Sequence, residues 1–332
     1  MDQTTQENAE NPGKQPYLIL IIKINVKASY GIISSDANAR DIQELVRFAD
    51  IAMFESKMVD KQNFPEAHRS SNKKTDWRRK FEIYKELGRA IEEEQFQLKF
   101  QPIYDALSLE IVSYELLLRW CSPSLGQVPT EEFIGIAEAS NKIDALTFWV
   151  IRQALQLITQ PQQWPAGIVL AINISPGLLR DPGFVKEVRK LLWQHQLESC
   201  ICLEFEITET SPITNSSYVA QALQAFKAMN IIISLDDYGQ GNTSFLNLQQ
   251  GEFQKIKLDK ALLWSAMNNP TQKRILEAAI YSAHSLGLKV TMEGIETEEQ
   301  LTLARGLGCN YLQGYLLSKP LPAAALGSHG VI

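Results

Sequence analysis

The sequence predicts an α/β protein built on a (β/α)8 barrel, from three observations. Seven polar residues (Glu115, Asn173, Glu206, Asp236, Lys257, Glu293 and Gln313) each close or follow an apolar, β-rich run: YELLLRW, GIVLAINIS, CICLEFEITE, NIIISLDD, FQKIKLD, LKVTMEG and NYLQGY. Successive members lie roughly 20 to 60 residues apart, the repeat of strand–helix units in a barrel whose chemistry gathers at the C-terminal strand ends. Strand and helix signals also alternate from the mid-90s to about residue 322, the pattern of strands wrapped by helices.

Taken in chain order, residues 1–16 are rich in Gln, Asn, Glu, Thr and Pro and have nothing to bury, so a disordered tail is expected. Residues 17–65 hold LILIIKINVKASYGIIS, a strand pair by its β-branched content. A helix-spaced segment with Ile42, Leu45, Val46, Ala49 and Met53 on one side follows it, making a small α+β piece. Residues 66–82 are assigned to a linker and the start of a helix. That helix is expected from Asp76 to Glu94, with Trp77, Phe81, Tyr84, Leu87 and Ile91 as its apolar stripe. The barrel domain is placed at 83–322, with Gly- and Pro-containing breaks near 122–126, 161–167 and 181–183. A short tail, 323–332, completes the chain.

With 332 residues, 45% of them hydrophobic and 21% charged, the chain can bury a large core. A net charge of -6 argues against a broad nucleic-acid or anionic-membrane surface. The most apolar early stretch, 17–26, is too short to span a bilayer and carries Lys23, and nothing before it resembles a signal peptide. Cys121, Cys200, Cys202 and Cys309 show no CxxC spacing and read as reduced packing residues of a cytoplasmic protein.

Alternation along a strand decides which side chains meet. In YELLLRW, Glu115, Leu117 and Arg119 share one face, offering a carboxylate for a metal and a guanidinium for a phosphate; a strand-end salt bridge is the plainer alternative. Asn173 sits in an apolar strand, as a structural amide or a hard-cation ligand. Glu206 and Glu209 belong to a β run, where carboxylates need a partner or a metal. Asp236 and Asp237 close NIIISL and point different ways, so that one could bridge two ions while the other binds the second; a solvated turn is the alternative. Lys257 within IKL must snorkel or pair. Glu293 precedes Gly294, which allows tight backbone passage at the rim. Five carboxylates converging on one rim require cations, and oxygen donors favour Mg²⁺ or Mn²⁺ over zinc.

These motifs in this order resemble the EAL domain, the phosphodiesterase of bacterial cyclic di-GMP signalling. The matching stretches are FQPIYD (100–105), YELLLRW (114–120), NISP (173–176), EITET (206–210), DDYGQG (236–241), KLD (257–259), EGIE (293–296) and QGYLLSKP (313–320). The resemblance implies a modified TIM (β/α)8 barrel with one antiparallel strand, which hydrolyses cyclic di-GMP to linear 5'-pGpG using two Mg²⁺ or Mn²⁺ ions. It implies metal ligation by Glu115, Asn173, Glu206, Asp236 and Asp237, and handling of the attacking water by Lys257 and Glu293. Glu209 would steady the loop after strand six, and Gln101, Arg119, Gln313 and Asp259 would face substrate. It further implies a homodimer through the barrel domain, with neither nucleic acid nor membrane as partner. Two departures stand out: the signature Glu-Ala-Leu reads Glu115-Leu116-Leu117, and the loop usually like DDFGTGYSSL is DDYGQGNTSF. The first points its extra bulk away from Glu115, while the second leaves a non-hydrolysing cyclic di-GMP receptor as the alternative. Upstream, ASYGIISSDANARDIQELVRFADIAMFESK resembles the C-terminal end of a GGDEF domain, shortened and lacking any Gly-Gly pair, so no cyclase activity is expected.

Overall fold

The computed structural model describes residues 71–140, 142–159, 168–197, 203–208, 217–239 and 252–328, together with Met53. The chain divides into two compact units, Met1–His68 and Arg69–Ile332, and all but one of the described residues belong to the second. The expected tail at 1–16, nearly all of the GGDEF-like segment, Cys200, Cys202, Glu209 and most of the departing loop after Asp237 lie outside the described residues.

Eight strands close into a barrel: β1 (Phe96–Asp105), β2 (Ile111–Ser122), β4 (Val169–Asn173), β5 (Leu203–Thr208), β6 (Ile232–Tyr238), β7 (Lys255–Leu258), β8 (Lys289–Met292) and β9 (Tyr311–Leu312). They neighbour one another in that order, and β1 closes the ring by pairing with both β2 and β9. Both β1 pairings are antiparallel, and the other ring pairings are parallel. The single reversed strand is thus β1, joined to β2 by a tight connection that a parallel neighbour could not use. Two short strands, β3 (Gly126–Val128) and β10 (Leu321–Pro322), extend β2 and β1 outside the ring.

Helices α1 (Ser71–Glu92), α2 (Thr130–Ala139), α3 (Ile143–Ile158), α4 (Pro182–Gln194), α5 (Ser217–Ala228), α6 (Lys260–Asn268), α7 (Pro270–Ser285) and α8 (Glu298–Gly306) accompany the strands. Local chemistry starts several of them. Asn269 accepts hydrogen bonds from the Thr271 and Gln272 amides before Pro270, and Thr297 with Gln300 forms a reciprocal capping box. The sequence misplaced α1 in two respects. It begins at Ser71, not Asp76, and its fully buried line is Ile83, Leu87 and Ala90, while Phe81, Tyr84 and Ile91 are only half-buried. Ala90 contributes little to an apolar pattern but lets the helix approach closely, which periodicity alone underweights.

Outward-facing strand residues meet the helices in an apolar shell. Phe205 of β5 packs edge-on to Phe226 of α5 with centroids 5.1 Å apart, and Phe226 meets Phe184 of α4 at 5.4 Å. Truncating one such ring costs about 3–5 kcal/mol. Leu116, the departure from the family signature, is buried on this outer side, so its bulk lies away from Glu115 as alternation requires.

Candidate active site

Glu115, Asn173, Glu206, Asp236, Lys257, Glu293 and Gln313 come together at the C-terminal end of the barrel. Lys257 is their hub, with its side chain 2% exposed. Its Nζ lies 2.8 Å from Glu293 Oε1, 3.0 Å from Glu206 Oε1, 3.2 Å from Asp236 Oδ1 and 3.3 Å from Glu115 Oε2. Strand pairing sets this up, since Asn173 is level with Glu206 across β4–β5 and Gln101 with Glu115 across β1–β2. Gln313 Nε2 donates to Glu115 Oε2 at 2.7 Å, and Asn173 Nδ2 donates to Glu115 Oε1 at 3.1 Å.

One ammonium cannot neutralise this many carboxylates, and the protonation equilibria record the excess. Burial, relieved in part by Lys257 and worsened by Glu115 and Asp236, drives the Glu206 carboxyl well above its usual range. Burial likewise raises Asp236 and pushes Glu293 up to about 8. Asp237 rises to about 6 through burial and the neighbouring Asp236 charge. Glu115 goes the other way: Lys257 and the amide donors of Gln313 and Asn173 outweigh its burial. Lys257 is itself held well above the ordinary lysine value, its burial overcome by Asp236, Glu115, Glu206 and Glu293.

The position of Asp237 depends on a backbone irregularity. Between Leu235 and Tyr238, β6 carries one residue more than β7 opposite it, and Asp237 is left-handed at φ 57°. A bulge of this kind turns a side chain from the face that alternation assigns it. Single oxygens of Asp236, Asp237 and Glu293 consequently lie within 4.8 Å of one another, whereas strict alternation would have sent the two aspartates opposite ways. Gly294 follows at φ 66°, and a Cβ there would collide with the side chain of Lys260, so the tight passage expected after Glu293 is present.

An acidic cluster that could hold a metal is therefore in place, and its chemistry fits a hard divalent cation. Donors in reach are carboxylate and amide oxygens. Glu206 Oε2 and Gln313 Oε1 are buried without a hydrogen-bond partner, and Glu206 Oε1 and Asp236 Oδ1 share the single Lys257 ammonium with two other carboxylates. Such groups are costly unless a charge binds there. The amide nitrogen of Asn173 is engaged by Glu115, so its oxygen is the atom that could face a cation.

Arg119 and Asp259 have other contacts in this structure. Arg119 Nη1 donates to the Leu118 carbonyl at 2.9 Å and to Thr130 Oγ1 at 3.3 Å. Asp259 caps α6, accepting from the Ala261 amide at 2.8 Å. The sequence reading passed over Glu204 and Lys255, which form a buried ion pair at 2.6 Å one layer below the site. Their signal was present, because each stands two residues before a site residue and so shares its face.

The EAL domain matches residues 85–320. This chain belongs to the EAL-domain family. Among curated relatives, the cyclic di-GMP phosphodiesterase NbdA of Pseudomonas aeruginosa is 31% identical over 94% of this chain and 40% of its own length. The cyclic di-GMP phosphodiesterase PdeR of Escherichia coli is 29% identical over 93% of this chain and 46% of its own. The chain thus spans less than half the length of these EAL relatives. Among solved structures, the PaMucR phosphodiesterase in complex with c-di-GMP superposes with a TM-score of 0.69 at 31% identity, covering 74% of this chain and 99% of that one. The EAL enzyme Bd1971, in its cAMP- and cyclic-di-GMP-bound form, has a TM-score of 0.69 at 27% identity, covering 75% of this chain and 68% of that one.

Proposed function

We propose that this chain hydrolyses cyclic di-GMP to linear 5'-pGpG with two hard divalent cations, Mg²⁺ or Mn²⁺. The observation that carries the reading is the excess of buried carboxylates around Lys257, joined to relatives whose names state this activity. Glu115, Asn173, Glu206 and Asp236 would hold the first cation, and Asp236 with Asp237 the second. Bound there, such ions acidify a water and offset charge on the attacked phosphate. Glu293, when ionised, would accept the water's proton at its carboxylate, and Lys257 Nζ, 2.8 Å from Glu293 Oε1, would orient the same water. Gln101 and Gln313 lie beside Glu115 to meet substrate, and Arg119 and Asp259 extend that surface along the rim. Glu209 would steady the loop that follows β6.

The larger assembly is part of the same reading: a cytoplasmic homodimer through the barrel domain, with residues 17–65 as the end of a GGDEF-like domain. Alignment to MucR of Pseudomonas aeruginosa, named a bifunctional diguanylate cyclase/cyclic di-GMP phosphodiesterase, extends over 94% of this chain and so beyond the EAL match. Among the described residues, no helix is long and apolar enough to cross a membrane. Incubation with cyclic di-GMP and Mg²⁺ or Mn²⁺, followed by chromatography, tests the activity, with pGpG as the expected product. Tight binding without product over hours assigns the chain to the receptors instead.

A further inference from the structure

Beneath the site, the barrel interior is polar where branched apolar residues would ordinarily fill it. Two residues before Glu115, Glu206, Asp236, Lys257, Glu293 and Gln313, and therefore on the same inward face, stand Ser113, Glu204, Ser234, Lys255, Thr291 and Tyr311. All but the half-buried Tyr311 are buried. In this layer Lys255 Nζ lies 2.6 Å from Glu204 Oε2 and 4.9 Å from the centre of the Tyr311 ring. Glu204, Lys255 and Tyr311 come from β5, β7 and β9, alternate strands separated by β6 and β8. The lysine is therefore a strut across the barrel, fixed by a carboxylate on one side and an aromatic face on another.

We propose that Glu204 and Lys255 are positioning residues for metal binding: their ion pair fixes the relative height of β5 and β7, and so the placement of Glu206 against Lys257 one layer above. The physical reason is the short lever. A strand rises about 3.3 Å per residue, so Glu206 and Lys257 sit a single side-chain repeat above the strut. A slip of either strand is felt there at nearly full amplitude. Interiors are close-packed and transmit such shifts. A pair that only offset its own burial would act on stability and leave metal affinity alone. An electrostatic role alone predicts the opposite sign, because removing the Lys255 charge should draw a cation in more tightly.

The inference rests on the reading of the upper cluster as a metal site, and its test begins with Mn²⁺ alone. Titrate the full chain and its Lys255→Met and Lys255→Arg variants with Mn²⁺, then measure pGpG formation. For Lys255→Met we expect at least a tenfold loss of Mn²⁺ affinity and a fall in kcat with KM little changed. Lys255→Arg, which can still reach Glu204, should stay within about threefold of wild type in both. Unchanged or tighter Mn²⁺ binding by a folded Lys255→Met variant overturns the proposal. If that variant does not fold, Glu204→Asp serves in its place, since it shortens the strut by one methylene. A threefold or larger weakening of Mn²⁺ binding supports the strut, and unchanged affinity overturns it. A wild-type protein that binds no Mn²⁺ overturns the metal reading and this inference together. One that binds Mn²⁺ but makes no pGpG overturns the hydrolase reading alone, and the strut is then judged on affinity.

Discussion

The barrel holds two buried lysines two residues apart, and their surroundings differ in one respect that separates scaffold from site. Lys255 faces one carboxylate at 2.6 Å, a one-to-one pair. Lys257 faces four carboxylates between 2.8 and 3.3 Å, with Asp237 close behind. A balanced buried pair is neutral as a unit and calls for no further charge, whatever its own burial costs. An unbalanced cluster keeps an unmet demand for positive charge, seen here as raised carboxyl pKa values of Glu206 and Asp236 and an orphaned Oε2 on Glu206. Buried ionisable residues of a barrel are thus better read by local charge balance than by number.

The largest expected effect removes from the upper cluster the Asp236 charge that is proposed to serve both cations. Asp236→Asn should lower turnover at least a thousand-fold, a barrier increase of about 4 kcal/mol, at near wild-type thermal stability. Near-normal turnover at ordinary metal concentrations would falsify the two-cation assignment. Next is the hub. Lys257→Met strands its carboxylates and should destabilise the metal-free protein by about 3–5 kcal/mol in denaturant melts. Saturating Mn²⁺ should recover much of that loss. A variant equally unstable with and without metal would show that cations do not meet the charge demand.

A smaller effect concerns pH. Raised carboxyl pKa values mean that the folded, metal-free protein holds protons which the unfolded chain has released. The stability they contribute is fully present below the usual carboxylate range and is lost as pH rises through about 6 for Asp237 and about 8 for Glu293. Added Mn²⁺ replaces those protons, so the rise in Tm it causes should grow between pH 5.5 and 8.5. A metal-induced shift that is flat with pH would contradict the proton competition.

The smallest effect separates two roles for Asp259. Asp259→Asn keeps an acceptor for the Ala261 amide and should change stability by a few tenths of a kcal/mol at most, whereas Asp259→Ala should lose about 1 kcal/mol. If the carboxylate also meets substrate, both variants raise KM together. A KM that follows stability alone would confine Asp259 to capping α6.

Strand alternation and the end of each apolar run are properties of the chain itself, and they were enough to name Glu115, Asn173, Glu206, Asp236, Lys257, Glu293 and Gln313 and to bring them to one end of one barrel. One antiparallel strand was expected from the family resemblance, and β1 is that strand. What the sequence could not settle turns on contacts between elements. Asp237 joins Asp236 because a bulge against β7 adds a residue to β6, and a bulge is set by the pairing of two strands. The buried line of α1 runs through Ala90 because of what packs against it, and Asp259 turns to the Ala261 amide because α6 starts there. The Glu204–Lys255 strut needs β5 and β7 at matching heights across an intervening strand, a relation fixed only when the barrel closes. Side-chain period is local, so sequence determines which face a residue takes. Register and closure are non-local, so only the folded barrel decides which residues on that face touch.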